Sequence, residues 1–539
     1  MEFVKTLSES STLPWWRGAV GYQVYPRSFA DANCDGVGDL PGLRSKLAHL
    51  AWLGVDVVWI SPFYPSPGRD HGYDVSDYVG IDPMMGTIED FDGVIADARQ
   101  LGLKVFVDIV PNHSSSDHAW FQSALNDPTG PYRDYYIWKD PKPDGSPPNN
   151  WVSYFGGPAW TLDPTSEKYW CHLFLPEQPD LNWENEAVRA EFDEVLRFWC
   201  ERGVDGFRID VAQGLAKHQS FADNPQLHDP VNPGNPVEVM ASFDHQYDLA
   251  QPETIDIFRR WRKVVEPYGA VLLGELGVWD PAVFAGYVAD NTALEVAFAL
   301  EPGLLPWEPA KLVHKISQMR EHAGTGVAWE LSNHDQHRAV SRFGGGESGL
   351  RRTLSLMTLM FGLDGMPFLY QGEELGLEDG AVAAGAEADP IALRNPDAPS
   401  EGRDVARTAM PWEPGPNNGF TGAPEAWLPA RDRTDAETVR VQRDQRFSTL
   451  HHYRTLVGLR KEIPGLWNAL GTVSNTGLVV RVDRPDTVVL ANLGSEAVEI
   501  PCDLTASRVC FRSWPMHQTD DVAPAFLEPE TTLIFRRDL

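Results

Sequence analysis

Basic residues are scarce in this 539-residue chain: 45 Lys and Arg stand against 77 Asp and Glu, a formal net charge of −32. A surface that negative repels phosphate backbones and anionic lipid, which excludes a general nucleic-acid or membrane-surface binder. Cysteine is rare as well. Cys34, Cys171, Cys200, Cys502 and Cys510 form no C-x-x-C pair, so neither a zinc ribbon nor a redox motif is legible, and reduced thiols are expected. No apolar run approaches the roughly 18 residues of a membrane span. Met1–Pro14 carries a lone Lys5 and lacks the apolar core of a secretory signal, so a cytoplasmic location is expected. Short-period repeats and low-complexity runs are missing too. What remains is 42% hydrophobic and 11% aromatic, enough apolar surface for a folded globular protein without disulfide staples.

Short β-branched runs alternate with helical patterns from Ala19 to about Gln371. The expected strands are Ala19–Tyr25, Val55–Ser61, Lys104–Val110, Gly206–Ile209, Ala270–Leu273, Leu294–Ala299, Gly326–Leu331 and Met366–Tyr370. Their near-continuous apolar character suits strands covered on both faces of a parallel sheet. Between them, Glu186–Arg202 places Val188, Phe192, Val195, Leu196 and Trp199 on one helical face. Eight such strands with intervening helices predict an α/β fold, a (β/α)8 barrel. The stretch from Asn112 to about Trp183 breaks the alternation with many Pro, Gly, Trp and Tyr residues, and reads as a β-rich insertion after the third strand. A second irregular stretch, Glu378–Pro429, is expected to fold over the same barrel face. Period-two runs at Gly477–Asp483, Thr487–Asn492 and Thr531–Arg536 predict an antiparallel C-terminal domain. The expected division is a barrel of residues 1–112 and 184–462, an insertion of 113–183, and a β-sandwich-like tail of 463–539.

Ionisable residues gather at the ends of these strands. Asp70, His71 and Tyr73 lie beyond the second; Asp108, Asn112 and His113 lie at the end of the third. Arg208 and Asp210 close the fourth, Glu275 the fifth, and Asn333-His334-Asp335 the seventh. In a parallel barrel all of them converge on the C-terminal face. Any one carboxylate alone could be a helix N-cap or a surface ion pair. Crowded together without a task they would cost stability. Two carboxyl groups facing one bond can act as nucleophile and proton donor in glycoside cleavage. Arg208 precedes Asp210 by two residues, so both point to one face of a strand, and the guanidinium favours an ionised Asp210. The apolar run Val271–Gly274 ahead of Glu275 favours its protonated form. Asp335 is a third carboxylate placed to accept sugar hydroxyls, and the Tyr73 ring offers a face to a pyranose.

These motifs resemble the α-amylase superfamily, glycoside hydrolase family 13. They are Asp108-Ile-Val-Pro-Asn112-His113, Gly206-Phe207-Arg208-Ile209-Asp210, Glu275 and Asn333-His334-Asp335, in that order. The resemblance implies Asp210 as nucleophile, Glu275 as general acid/base and Asp335 as transition-state stabiliser, with Asp70, Tyr73, His113, Arg208 and His334 around a terminal glucose. Tyr25-Pro26-Arg27-Ser28-Phe29, Gln178–Trp183 and Gly402-Arg403-Asp404 look like the branch of α-glucosidases and oligo-1,6-glucosidases. That likeness implies an Arg403–Asp70 pair closing the pocket, an exo-acting retaining enzyme, and further pocket residues Phe155, Phe174 and Gln178. It implies a small α-glucoside as partner and a monomer or homodimer.

Asp31, Asn33, Asp35, Val37 and Asp39 place oxygen ligands at alternate positions around a glycine, like the first part of a calcium loop, but Gly42 stands where an EF-hand has Glu. The α-glucosidase branch carries a structural Ca2+ or Mg2+ there; the alternative is a metal-free Asx-turn loop. Val211 after the nucleophile resembles α-1,6-cleaving members, whereas Ala212-Gln213-Gly214 looks like an actinobacterial subgroup favouring α-1,4 links. His71, Gln213 and Leu276-Gly277 depart from the family pattern, which keeps a glucosyltransferase or sugar isomerase as alternative. A non-catalytic, transporter-associated homologue is the distant one. Gly344–Gly349 satisfies G-x-G-x-x-G but follows no strand, so a dinucleotide site is not expected.

Overall fold

The computed structural model describes residues 13–289, 292–395, 402–430, 433–468, 470–516 and 522–537. Most of the Met1–Pro14 leader reading, and residues 396–401 of the Glu378–Pro429 stretch, lie outside these. The chain runs through β1 (Gly21–Val24), β2 (Val57–Ile60), β3 (Lys104–Ile109), β4 (Trp138–Lys139), β5 (Trp160–Asp163), β6 (Lys168–Cys171), β7 (Gly206–Ile209), β8 (Val271–Leu276), β9 (Val296–Ala299), β10 (Val327–Trp329) and β11 (Met366–Tyr370). Eight of these, β1, β2, β3, β7, β8, β9, β10 and β11, close into a barrel in that order, each pair parallel.

All eight fall within or on the expected runs except β8, which continues beyond Leu273 to Leu276. Gly274 and Glu275 interrupt the apolar pattern, yet the ladder persists, pairing Glu275 with Phe298 and Leu276 with Ala299. Glu275 is therefore held by strand backbone rather than by a loop. The barrel interior is filled by Trp59, Phe106, Leu273, Phe298, Met366 and Phe368, a packed core of the kind such barrels require. Glycine is needed beside these rings: a Cβ on Gly206 would lie 2.4 Å from Phe106, and one on Gly21 would lie 2.1 Å from Phe368.

Helices cover the outside. Glu186–Glu201 buries Val188, Phe192, Val195, Leu196 and Trp199, the face expected from its periodicity, and Asn185 caps it by accepting from the Ala187 N–H. After β3 the chain forms a three-stranded antiparallel sheet in the order β4-β6-β5. A helix at Ala119–Asn126, which the aromatic-rich sequence does not announce, precedes it. The C-terminal strands are β12 (Thr472–Thr476), β13 (Val479–Asp483), β14 (Thr487–Asn492), β15 (Val498–Glu499), β16 (Arg508–Arg512), β17 (Phe526–Leu527) and β18 (Thr531–Arg536). They make an antiparallel sheet, β12-β13-β14-β18-β16, and a separate β15-β17 pair. Among the described residues no helix is long and apolar enough to cross a membrane.

Candidate active site

The C-terminal ends of the barrel strands open into a cavity of about 700 Å3 lined by Asp70, Tyr73, His113, Phe174, Asp210, Glu275, Asp335 and Arg403, among others. Its organising group is Arg208 on β7, 1% exposed. One terminal nitrogen donates to Asp210 Oδ1 and Asp108 Oδ1, both at 2.8 Å; the other lies 2.8 Å from Glu275 Oε2. Asp108 accepts from Trp59 Nε1 and the Tyr73 hydroxyl as well, each at 3.1 Å. Immediately after Asp210 the backbone turns left-handed at Val211, φ 43°, a strained conformation for a β-branched residue. The turn aims the Val211 N–H at Glu275 Oε2, 3.0 Å away.

One expectation about surroundings and one about charge are corrected here. Glu275 does not face an apolar wall, because its carboxyl group sits against Arg208 and the Val211 N–H. Asp210 is not held low by Arg208: burial pushes its pKa well above the usual carboxylate range, and Glu275, Asp108 and Asp335 add to the push while Arg208 opposes it. Burial likewise raises Asp108 to about 6 against the opposition of Arg208. One guanidinium cannot neutralise three buried carboxyl groups.

A pair of arginines governs Asp335. Arg403 donates to Asp335 Oδ1 at 3.1 Å and to Asp70 Oδ1 at 2.8 Å, so the implied Arg403–Asp70 pair forms. Arg407 donates to Asp335 Oδ1 at 2.7 Å and to the His334 carbonyl at 2.7 Å. Burial works upward on Asp335, but His334, Arg403 and Arg407 hold its carboxyl far below the ordinary range. Burial also drops His334 to about 3, so the imidazole is uncharged at neutral pH and the arginines do the holding. Asp70 is pushed up to about 6 by burial, with Arg403 and Arg407 opposing.

Gln178 Nε2 bridges Asp70 Oδ2 at 3.1 Å and His113 Nε2 at 3.0 Å. Burial lowers His113 to about 4, leaving a neutral ring. Tyr73 stacks on His334 with centroids 5.1 Å apart, which occupies one of its faces. Arg208, Gln178, Phe155 and His334 back the cavity rather than line it. Phe155 lies beneath the Arg403 guanidinium, 5.4 Å from its centre, and Tyr154 takes the lining position beside it.

Two contributors, Asp389 and Arg407, are not legible from motif spacing. Asp389 accepts from the Arg403 backbone N–H at 2.5 Å and from its Nε and Nη2 at 2.9 and 2.8 Å. Asp404, from the Gly402-Arg403-Asp404 motif, in turn accepts from the Ala388 and Asp389 N–H groups. The one available signal is the Asp389-Pro390 pair, a helix N-cap signature.

In the Asp31–Asp39 loop, Asp31 accepts from the Cys34 and Gly36 N–H groups, Asn33 from Asp35, Asp35 from Val37, and Asp39 from Gly42. The donor set is all oxygen, which suits a hard divalent cation, and each bonded oxygen keeps a further lone pair. Among the described residues no three acidic, His or Cys side chains converge as ligands. At Gly344–Gly349 the preceding element is the helix Ala339–Arg342, not a strand.

Residues 23–468 match the alpha-amylase catalytic domain. A probable alpha-glucosidase of Rhizobium meliloti (strain 1021) is 41% identical over 464 residues, 84% of this chain and 83% of that protein. An oligo-1,6-glucosidase of Heyndrickxia coagulans is 38% identical over 484 residues, 83% and 85% of the two chains. Among solved structures, an alpha-glucosyl transfer enzyme, XgtA, superposes with a TM-score of 0.89 at 38% identity, covering 97% of this chain and 100% of that one. Barrel, convergent carboxylates and the match across both lead to one conclusion: the chain belongs to the alpha-amylase family of glycoside hydrolases.

Proposed function

We propose that the protein is a retaining, exo-acting α-glucosidase that releases glucose from the non-reducing end of short α-glucosides. The observation that carries this reading is Arg403 spanning Asp70 and Asp335 at one end of the cavity, which walls off further sugar units beyond a single glucose. Asp210 attacks the anomeric carbon as the C1–O bond to the leaving group breaks, and Glu275 gives its proton to the departing oxygen. Water then gives a proton to Glu275 and attacks C1, releasing Asp210. Asp335, ionised through Arg403 and Arg407, opposes the positive charge that develops on the sugar ring. Asp70 and His113 receive the glucose hydroxyls, with Tyr73 and Phe174 completing the pocket wall and Arg208, His334, Gln178 and Phe155 holding it from behind.

Glucose release from maltose, isomaltose and sucrose, with product mapping at high substrate, tests this and resolves the linkage. Asp210→Asn is expected to lower kcat by about 10^4-fold or more; full activity in that variant overturns the assignment. Glucosyl transfer is the second reading, favoured by the similarity to the transfer enzyme. A cytoplasmic location belongs to the same reading, in keeping with the absence of disulfides among the described residues. For Asp31, Asn33, Asp35, Val37 and Asp39 we propose a structural Ca2+ or Mg2+, on the oxygen-only donor set. Added Ca2+ should raise Tm after EDTA treatment, and an unchanged Tm leaves the loop metal-free.

A further inference from the structure

Residues two apart on a strand share a face, so the barrel interior is ordered into layers. Phe106, Leu273, Phe298 and Ala328 lie together in the packed interior, and Ala328 pairs with Phe298 between β9 and β10. Gly206 faces the same interior, against the Phe106 ring. Two residues further toward the cavity come Asp108, Arg208 and Glu275, and also Glu330, one residue past the end of β10. Glu330 is thus a fourth ionisable side chain of the layer that organises the site. It is 3% exposed, stands behind the cavity lining, and no step of the double displacement uses it. A buried carboxyl group without a task would be a cost.

Its contact with the loop above suggests the task. Glu330 Oε1 accepts from Asn333 Nδ2 at 2.8 Å. The other end of the same carboxamide, Asn333 Oδ1, accepts from the Asp335 N–H at 2.9 Å. A backbone N–H can only donate, so the carboxamide oxygen must face Asp335 and its NH2 must face Glu330. Both ends satisfied, the carboxamide closes the turn that carries His334 and Asp335. The ionisable groups facing Glu330 are Glu275, Arg208, Glu373 and Arg342. Burial pushes Glu330 up to about 8, with Asn333 opposing, so it is uncharged at neutral pH. A fourth negative charge is thereby kept away from an arginine that already serves three carboxyl groups.

We propose that Glu330 is a positioning residue for Asp335, acting through the Asn333 carboxamide and touching no part of the sugar. Arg403 and Arg407 set the charge of the Asp335 carboxylate; Glu330 and Asn333 set where its backbone stands. This rests on the α-glucosidase reading, in which Asp335 opposes charge that develops only in the transition state. Displacing Asp335 therefore lowers kcat more than it raises KM.

Glu330→Leu and Glu330→Met remove the acceptor while filling its volume, and circular dichroism checks that each folds. On an α-glucoside that the unaltered enzyme hydrolyses, kcat should fall about tenfold or more in both, with KM within about threefold. Glu330→Gln keeps an oxygen toward Asn333 and matches the uncharged parent side chain, so most of kcat should return near pH 7. Combining Glu330→Leu with Asn333→Ala should give an enzyme no slower than Asn333→Ala alone, because the two changes break one link. Unchanged kcat in the apolar variants, a Gln variant as slow as they are, or losses that multiply in the double variant overturn the proposal. Failure of the underlying reading looks different: the unaltered enzyme then releases no glucose from maltose or isomaltose, and this inference falls with it.

Discussion

Arg208 touches Asp108, Asp210 and Glu275 at once, and the consequence is a pH dependence. Burial raises Asp210 above the usual carboxylate range and raises Asp70 to about 6. On the proposed mechanism both must be ionised, to attack C1 and to pair with Arg403, so activity is gained as pH rises and lost as pH falls. The acid limb of kcat/KM should therefore lie well above the ordinary aspartate value of about 3.9. A limb at or below pH 4 contradicts this account of the charges. Asp389 acts through Arg403 and touches no part of the cavity directly. Asp389→Asn keeps the shape and removes the charge, so KM should rise about tenfold with a smaller change in kcat. An equal fall in kcat with unaltered KM would show that Arg403 does not depend on it for position.

Strands and helices set these groups in place, and their own stability is separately measurable. On Glu186–Glu201, Leu196 is fully buried against the barrel. Leu196→Ala should cost about 2–5 kcal/mol by denaturant unfolding, with KM for the remaining folded enzyme little changed. Periodicity made that helix and all eight barrel strands legible, because covered parallel strands and amphipathic helices leave strong patterns. It failed at Ala119–Asn126, where aromatic residues of the insertion obscure a helix too short for a sustained period. It shortened β8, since a Gly-Glu pair looks like a strand end although its ladder continues. The carboxylates proposed as catalytic were legible because each lies at or beyond the end of an expected strand in a short motif. Asp389 and Arg407 were not, since they come from an irregular stretch whose path over the barrel has no periodic signal. The charge state of Asp210 was misread for a related reason: neighbours in sequence name Arg208 as its partner but not the two further carboxyl groups that share it.

Across the whole molecule, the barrel and the C-terminal sheet share buried charges. Arg484, beyond β13, donates to Asp364 at 2.9 Å, and both are nearly inaccessible. Glu530 accepts from Arg351 and Arg352 on the helix Gly346–Gly362. Arg484→Ala strips Asp364 of a buried partner and should cost about 3 kcal/mol, lowering Tm for barrel and tail together. Separate melting of the two would contradict their coupling. The net charge of −32 bears little on a neutral sugar, and the chemistry rests instead on a few carboxylates whose protons are set by two groups of arginines. The claim most exposed to test is double displacement through Asp210. Proton NMR can follow the anomer of glucose released from an α-glucoside before mutarotation. The account predicts that α-glucose appears first; β-glucose as the first product would contradict it.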